Sequence, residues 1–211
     1  MGELRQARTY GMKVLVACEF SGTVRDAFLA LGHDAWSCDL LDTDSPGPHY
    51  KGDVLKLLRH VRDWDLMVAH PPCTHLACSG ARHFAKKQAS GVQQQALDFV
   101  QQLLDANIPR IALENPVGII SSRIRKPEQI IQPWQFGDSY QKTTCLWLRG
   151  LPLLVPTKIV DKGEFTTFKS GKRHPKWYAD ALKLSPEERM LARSKTFPGI
   201  AAAMAQQWGQ E

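Results

Sequence analysis

A cysteine stands directly after two prolines and a short apolar run, where its thiol could act as a nucleophile. Leu66 to Ala69 predict a buried strand, and Pro71 and Pro72 end it because proline has a fixed φ and no backbone N–H. Cys73 is then held at the carboxyl edge of the sheet, where open α/β sheets bind ligands. A thiol on a rigid corner is positioned before a substrate arrives. The alternative is an ordinary buried thiol, which is common for free cysteine.

A carboxylic acid follows a second apolar strand in the same way. Arg110 to Leu113 predict a buried strand that ends at Glu114-Asn115-Pro116, again at a proline. Because the ends of parallel strands meet at one rim, we expect Cys73 and Glu114 to lie at the same edge. A general acid beside a nucleophile suits covalent catalysis, although Glu114 could equally be a structural carboxylate.

The elements that must position these groups begin with a strand, a glycine turn and a helix. Lys13 to Cys18 predict a buried strand, Glu19 to Thr23 a tight turn and Val24 to Leu31 a helix. This layout brings backbone N–H groups and a helix N-terminus up to a ligand. Many α/β proteins turn this way without binding anything, so the signal is weak.

Two further acids follow predicted elements of this half. His33 to Asp39 predict the second strand, and Asp39 at its tip could accept hydrogen bonds from a ribose diol or be a surface carboxylate. Asp53 precedes a helical pattern that starts at Val54, and could contact an adenine amine or cap that helix. A longer amphipathic helix is predicted over residues 90–107, after a polar loop over residues 75–84.

Composition excludes several classes of protein. The chain has 211 residues, of which 43% are hydrophobic and 23% charged, which predicts one globular domain. Apolar runs are too short to span a bilayer and the start does not resemble a signal peptide, so we expect a cytoplasmic protein with no membrane partner. Five cysteines without C-x-x-C spacing argue against a disulfide framework and a zinc knuckle, and no histidine spacing predicts a metal.

The positive charge is concentrated in one half. Residues 1–110 carry 12 basic and 12 acidic side chains, whereas residues 111–211 carry 15 basic and 9 acidic ones. A basic half favours a polyanionic partner such as nucleic acid, although basic surfaces also serve solubility. Within this half, residues 169–178 interleave basic and aromatic residues, with Lys172 and Arg173 at the centre. Such a segment can neutralise phosphates and stack a base, or it can be a solvated loop.

Three motifs in order resemble the DNA cytosine carbon-5 methyltransferase family over residues 13–120. They are Glu19-Phe20-Ser21-Gly22, Pro71-Pro72-Cys73 and Glu114-Asn115-Pro116. Residues 194–204 also resemble the family's final motif, a turn and helix that fold back against the glycine turn. The same residues would suit a plain C-terminal helix packed on the core.

The resemblance implies a fold, an activity and roles for residues. It implies an α/β, Rossmann-like S-adenosylmethionine-dependent methyltransferase fold, with a mostly parallel, doubly wound sheet and a small basic insertion. Cys73 would attack carbon 6 of cytosine in DNA, and Glu114 would hold and protonate N3. S-adenosylmethionine would be held by residues at the strand tips: Phe20, Ser21, Gly22, Thr23, Asp39, Asp53, Pro71 and Thr196. The substrate would contact Pro72, Asn115, Lys172 and Arg173.

The chain departs from the family pattern in three places. Thr74 follows the cysteine where the family has glutamine. The family's arginine strand has no clear counterpart, so Arg123 and Arg125 are candidates for its catalytic role or plain surface charges. The region between core and final motif is short, which predicts loose sequence specificity.

The sequence thus predicts one methyltransferase domain. Residues 12–125 form its cofactor and catalytic core, residues 126–190 a small insertion that contacts nucleic acid, and residues 191–211 a C-terminal helix that returns to the core. This compact chain resembles the single-domain forms of the family that bacteriophages and prophages carry. The resemblance suggests a role in protecting DNA against host restriction. Two alternatives remain, namely methylation of a free cytosine nucleotide and an inactive nucleic-acid-binding protein on a methyltransferase scaffold.

Overall fold

Strands and helices alternate along residues 11–210, the part of the chain that this computed structural model describes. The strands within it are β1 (Lys13–Ala17), β2 (Asp34–Asp39), β3 (His49–Lys51), β4 (Leu66–Ala69), β5 (Arg110–Pro116), β6 (Gln129–Ile131), β7 (Thr144–Arg149), β8 (Phe165–Thr167) and β9 (Arg173–Pro175). The α-helices are α1 (Thr23–Leu29), α2 (Val54–His60), α3 (Phe84–Ala89), α4 (Val92–Leu104), α5 (Ile120–Arg123), α6 (Lys176–Ala181), α7 (Pro186–Ser194) and α8 (Pro198–Trp208).

Seven of these strands form one sheet in the order β3-β2-β1-β4-β5-β7-β6. The first five are parallel, and β7 runs antiparallel to both β5 and β6. The predicted α/β class with a mostly parallel sheet is therefore confirmed. In the β4–β5 register Ala69 lies opposite Leu113, so the next residues, His70 and Glu114, are also neighbours.

Both faces of the sheet are covered, as the continuous apolar strands require. On one face Val14, Val16 and Val68 pack in a cluster with residues of α1 and α8. On the other face Leu15 and Met67 pack in a cluster with residues of α2 and α4. Successive strand residues point to opposite faces, so each strand contributes to both clusters.

The region after β5 differs most from expectation. Part of the predicted insertion joins the main sheet, because β6 and β7 extend it beyond β5. The segment around Lys172 forms the β8–β9 hairpin and then α6, not an open loop. The predicted loop over residues 75–84 contains a 3-10 turn, Cys78–His83, and leads into α3. A left-handed Gly91, with φ 75°, separates α3 from α4.

α7 begins at a cap that the sequence predicts. Ser185 accepts a hydrogen bond from Glu188 N at 3.2 Å, while the Glu188 carboxylate accepts one from Ser185 N at 3.0 Å. This capping box satisfies two free donors at the start of α7. α8 then buries Ile200, Met204 and Trp208 in the cluster shared with α1. Across residues 11–210, none of the helices combines the length and apolar character needed to cross a bilayer.

Candidate active site

The Pro71-Pro72-Cys73 corner is fixed by backbone and side-chain hydrogen bonds. The Cys73 carbonyl accepts from Leu76 N and Ala77 N, each at 2.9 Å, which closes a turn after the cysteine. The Asn115 amide donates to the Pro71 carbonyl at 2.8 Å, and Asn115 is 1% exposed. The two strand tips are thereby tied together, with Cys73 half-buried between them.

Glu114 faces this corner and has a partner that the sequence reasoning did not identify. His70 Nδ1 lies 3.2 Å from Glu114 Oε2, and the two side chains are only 7% and 13% exposed. His70 is the residue between β4 and Pro71, so the parallel register alone brings it beside Glu114. The only sequence signal was its place in that corner.

The surroundings of Glu114 favour its ionised form in the ligand-free protein. Burial raises the pKa of this carboxyl group, but the hydrogen bond from His70, the Lys142 charge and the Thr144 hydroxyl outweigh burial and lower the pKa below its ordinary value. The acid role implied by the family resemblance requires a protonated Glu114. In such a role Glu114 would therefore need a proton from another group.

The surroundings of Cys73 favour the protonated thiol. Burial raises the pKa of Cys73, and the Glu114 carboxylate raises it further, which together exceed the lowering by Arg193 and Lys142. A cation near a thiol lowers its pKa. The cations are present, but the net direction is the opposite because the thiol is buried beside a carboxylate.

Lys142 and Arg193 converge on the site from the distal part of the chain. Lys142 Nζ donates to the carbonyl oxygens of Arg193 at 2.9 Å and Lys195 at 3.2 Å, so it joins the segment before β7 to the end of α7. Neither cation lies in a motif that marks it in the sequence. Both lower the pKa of Cys73, so the fold brings the two cations near its thiol.

The two arginines proposed from the sequence lie elsewhere in the fold. Arg125 forms an ion pair with Glu128 and donates to the Leu148 carbonyl at 3.2 Å, so its guanidinium is used within the structure. Arg123 is exposed at the end of α5. The structure brings neither of them into a contact with Cys73 or Glu114, and their catalytic role stays a prediction.

The glycine turn after β1 is organised by a buried acid. The Glu19 carboxylate accepts from Val24 N at 2.7 Å and from Arg25 N at 3.3 Å, which occupies the first free donors of α1. These two donors are therefore used within the protein, and the contact of this turn with a ligand stays a prediction. Gly22 has φ 74°, a left-handed conformation that glycine adopts without strain, and a Cβ there would meet the Arg25 guanidinium.

The tips of β1 and β2 nevertheless present groups that fit a nucleoside-bearing ligand. Cys18 has φ 59°, an uncommon left-handed conformation for a residue with a side chain. Burial raises the pKa of the Cys18 thiol, and Asp39 and Asp53 raise it further, so both carboxylates lie near it. Asp53 also caps α2 through Leu55 N at 2.8 Å, and Asp39 accepts from Leu41 N at 2.9 Å. Carboxylates at this edge can accept hydrogen bonds from hydroxyl and amine groups.

The segment directly before α8 lies near Phe20 and Asp44. Lys195 forms an ion pair with Asp44 at 2.7 Å, and its Nζ lies 6.0 Å from the centre of the Phe20 ring. Phe20 is 8% exposed and its carbonyl accepts from Asp44 N at 2.8 Å. Thr196 follows Lys195 directly and is half-buried. Ser21 Oγ, in turn, lies 3.1 Å from Thr23 Oγ1.

Arg25 anchors the loop after β2 to α1, and no motif in the sequence marks this role. Its side chain is fully buried although it is charged. The guanidinium bonds five acceptors on α1, β2 and the following loop: Asp26 Oδ1, Ser37 Oγ, Thr43 Oγ1, Ser45 O and Pro46 O. The loop that carries Asp44 is thus fixed to the start of α1.

We expect Arg25→Met to lower the free energy of unfolding by roughly 3 kcal/mol or more, because several buried acceptors lose their donor. Urea denaturation followed by tryptophan fluorescence measures this difference. Arg59→Met is the matched control, because Arg59 is exposed on α2. A loss at Arg25 no larger than that of the control would contradict this role.

The β8–β9 hairpin, which carries Lys172 and Arg173, is linked through α6 to the segment that contains Lys142. Lys172 and Arg173 are exposed, and the Arg173 guanidinium lies 4.9 Å from the Phe165 ring centre. Trp177 on α6 donates from Nε1 to the Gln141 carbonyl at 2.9 Å, which links the hairpin region to the segment of Lys142. Within residues 11–210 there is no cluster of histidine, cysteine and carboxylate side chains that could hold a metal ion.

Comparison with known proteins finds distant structural similarity but no match to a family model or a curated protein. No protein-family model matches the sequence. No curated protein matches it either. One solved structure that matches is a protein provisionally described as a DNA modification methyltransferase encoded within a prophage of E. coli, with 13% identity and a TM-score of 0.46. The match covers 71% of this chain and 52% of that one, so this chain spans about half the length of that protein. The function of this chain is therefore inferred from its own residues and geometry.

Proposed function

We propose that this protein methylates carbon 5 of cytosine in DNA, with S-adenosylmethionine as the methyl donor and Cys73 as a covalent nucleophile. One observation carries the proposal. Cys73 and Glu114 lie at the carboxyl ends of neighbouring parallel strands, and the Asn115–Pro71 hydrogen bond fixes the two strand tips relative to each other. In the proposal these two side chains act as the nucleophile and the proton donor for one small planar ring.

The nucleophilic step uses the cations around Cys73. The thiol loses its proton to solvent as the cytosine enters, and Sγ forms a bond to carbon 6. Arg193 and Lys142 favour the thiolate, which opposes the effect of burial. The base must leave the duplex stack to reach this corner, because Cys73 is half-buried between two strand tips.

The acid step uses Glu114. As the Sγ–carbon 6 bond forms, negative charge builds in the ring, and a proton from the Glu114 carboxyl group to N3 neutralises it. Carbon 5 then becomes nucleophilic and takes a methyl group. Loss of the carbon 5 proton and release of Sγ regenerate the thiolate and the aromatic ring, and N3 returns its proton to Glu114.

S-adenosylmethionine, when bound, supplies an electrophilic methyl group. In the proposal the acids Asp39 and Asp53 accept hydrogen bonds from its ribose and adenine portions, next to the strained Cys18. The other residues predicted to hold S-adenosylmethionine are Phe20, Ser21, Gly22, Thr23, Pro71 and Thr196. Thr196 directly follows Lys195, which pairs with Asp44 and lies near the Phe20 ring.

DNA would contact the basic hairpin and the proline corner. Lys172 and Arg173 are exposed and can neutralise phosphates, and Pro72 is exposed directly before Cys73. Asn115 is nearly fully buried and acts by holding Pro71, so its substrate contact is indirect in this proposal.

The proposal predicts that tritium is released from DNA that carries [5-³H]cytosine, in proportion to methyl transfer, because only substitution at carbon 5 removes that hydrogen. Tritium in water and methyl groups in DNA are measured on the same sample. The parallel arm contains [5-³H]-labelled free cytosine nucleotide.

Each outcome of this measurement selects one activity. Equal tritium and methyl counts with DNA support the proposal. Methyl transfer without tritium release would indicate modification of an exocyclic amine instead. Release from the nucleotide alone would make the small molecule the substrate, and DNA binding without either signal would leave a binding protein.

A further inference from the structure

The Glu114 carboxylate shares a hydrogen bond with one titratable side chain among residues 11–210, and that side chain is His70. Their atoms Nδ1 and Oε2 are 3.2 Å apart, and both side chains are nearly removed from solvent. The backbone of His70 is held against β1, because its N donates to the Ala17 carbonyl at 2.9 Å. The pair therefore has a fixed geometry before any ligand arrives.

The surroundings of Glu114 disfavour the proton that its proposed role requires. Its contacts with His70, Lys142 and Thr144 lower its pKa, which favours the ionised carboxylate. Cys73 also faces it with a raised pKa, and Cys145 on β7 is another neighbour whose thiol pKa burial raises to about 11. Among the described groups that act on Glu114, His70 is the one in hydrogen-bonding geometry that can carry an extra proton.

We propose that His70 stores the proton that Glu114 delivers to cytosine N3, an inference that rests on the proposed function. In its protonated form His70 carries hydrogens on Nδ1 and Nε2. The Nδ1 proton moves to Glu114 Oε2, which leaves a neutral imidazole with hydrogen on Nε2. The carboxyl group then protonates N3 as Sγ bonds to carbon 6, and after the reaction the same proton returns from N3 through Glu114 to Nδ1.

Substrate entry supplies the driving force for the first transfer. A cytosine that covers Glu114 removes the remaining solvent from the pair, and loss of solvent disfavours charged forms. An imidazolium and a carboxylate at hydrogen-bond distance can respond by becoming a neutral imidazole and a neutral acid. The transfer therefore occurs when the base is in position to receive the proton.

The other ring nitrogen gives a second, independent indication that this histidine faces a ligand. His70 Nε2 is buried and has no hydrogen-bond partner among the described residues. A buried polar atom without a partner costs about 1–3 kcal/mol, so its retention calls for an explanation. In the proposed cycle this N–H stays on Nε2 throughout, and an acceptor on the bound ligands completes its hydrogen bonding.

The test compares His70→Asn with the wild-type protein in the tritium-release assay. The asparagine amide can donate to Glu114 from near the Nδ1 position, but it cannot carry an extra proton. We expect kcat to fall by about 10²-fold with KM for DNA and cofactor affinity within twofold of wild type. His83→Asn is the matched control, because His83 is exposed on the 3-10 turn.

A merely structural role gives a different result. If the amide suffices to hold Glu114, His70→Asn keeps the wild-type kcat, and the proposal is overturned while the proposed function stands. Absence of tritium release by the wild-type protein would instead remove the proposed function itself.

A second measurement uses the wild-type protein and does not depend on whether the variant folds. Nitrogen-15 NMR of labelled histidine reports the protonation of His70 before and after covalent capture of 5-fluorocytosine DNA. A change from imidazolium to a neutral ring protonated on Nε2 supports the proposal. An unchanged protonation state of His70 would overturn it.

Discussion

We expect replacement of Cys73 with alanine to abolish covalent capture of DNA containing 5-fluorocytosine, and to reduce methyl transfer by at least about 10⁴-fold. Fluorine at carbon 5 cannot leave as a proton does, so under the proposed mechanism the adduct between Sγ and carbon 6 persists in the wild-type protein and resists denaturation. Without the thiol no such bond forms. The measurement is a denaturing gel of protein, S-adenosylmethionine and labelled DNA.

The chain offers a matched control for this experiment. Cys78 lies five positions after Cys73 and is exposed, so Cys78→Ala tests whether any accessible thiol can form the adduct. We expect Cys78→Ala to capture DNA as the wild type does. An adduct that persists in Cys73→Ala would show that Cys73 is not the nucleophile, whatever the overall activity.

Replacing Glu114 with glutamine is expected to lower kcat for tritium release by about 10²–10⁴-fold. Glutamine preserves the size of the side chain and can still accept a hydrogen bond from His70, but it cannot deliver a proton to N3. Affinity for DNA and S-adenosylmethionine should change little, because the carboxyl group acts mainly in the transition state. Glu187→Gln, an exposed position on α7, is the control.

The ionisation of Glu114 gives this substitution a second readout. The pKa of Glu114 is lowered in the folded protein. Its ionised form therefore contributes to the free energy of unfolding at pH values above 4.5, the ordinary pKa of the group. That contribution is lost as pH falls through the lowered pKa. Urea unfolding of Glu114→Gln should therefore depend less on pH in the acid range than that of the wild type. Equal pH dependence would contradict the lowered pKa, and an unchanged kcat would contradict the acid role.

In the proposed chemistry, the reacting groups and the cations that act on them come from different parts of the fold. Strands β4 and β5 hold Cys73 and Glu114 on the main sheet, where hydrogen bonding on both sides restricts movement. Lys142 precedes β7 and Arg193 lies at the end of α7, and Lys142 Nζ donates to the Arg193 carbonyl. In the proposal the sheet fixes the reacting groups, while the two cations that favour the thiolate come from outside these strands.

The sequence by itself determined the local features. Apolar runs such as Leu66 to Ala69 predict strands because their β-branched and apolar residues suit a sheet that is buried on both faces. Pro71 and Pro116 mark the ends of such runs because proline cannot continue a ladder. Ser185 predicts a helix start because its hydroxyl satisfies a free backbone donor. Each of these depends on neighbours within a few residues.

The tertiary structure decided which groups meet and in which charge state. His70 and Glu114 are 44 positions apart, and only the parallel register of β4 and β5 makes them partners. Arg25 looks like a surface residue of a short helix, yet its guanidinium is buried by a loop from beyond β2. Burial and long-range charges set the ionisation of Glu114 and Cys73. Those terms depend on distance and solvent access in three dimensions, which the order of residues does not encode locally.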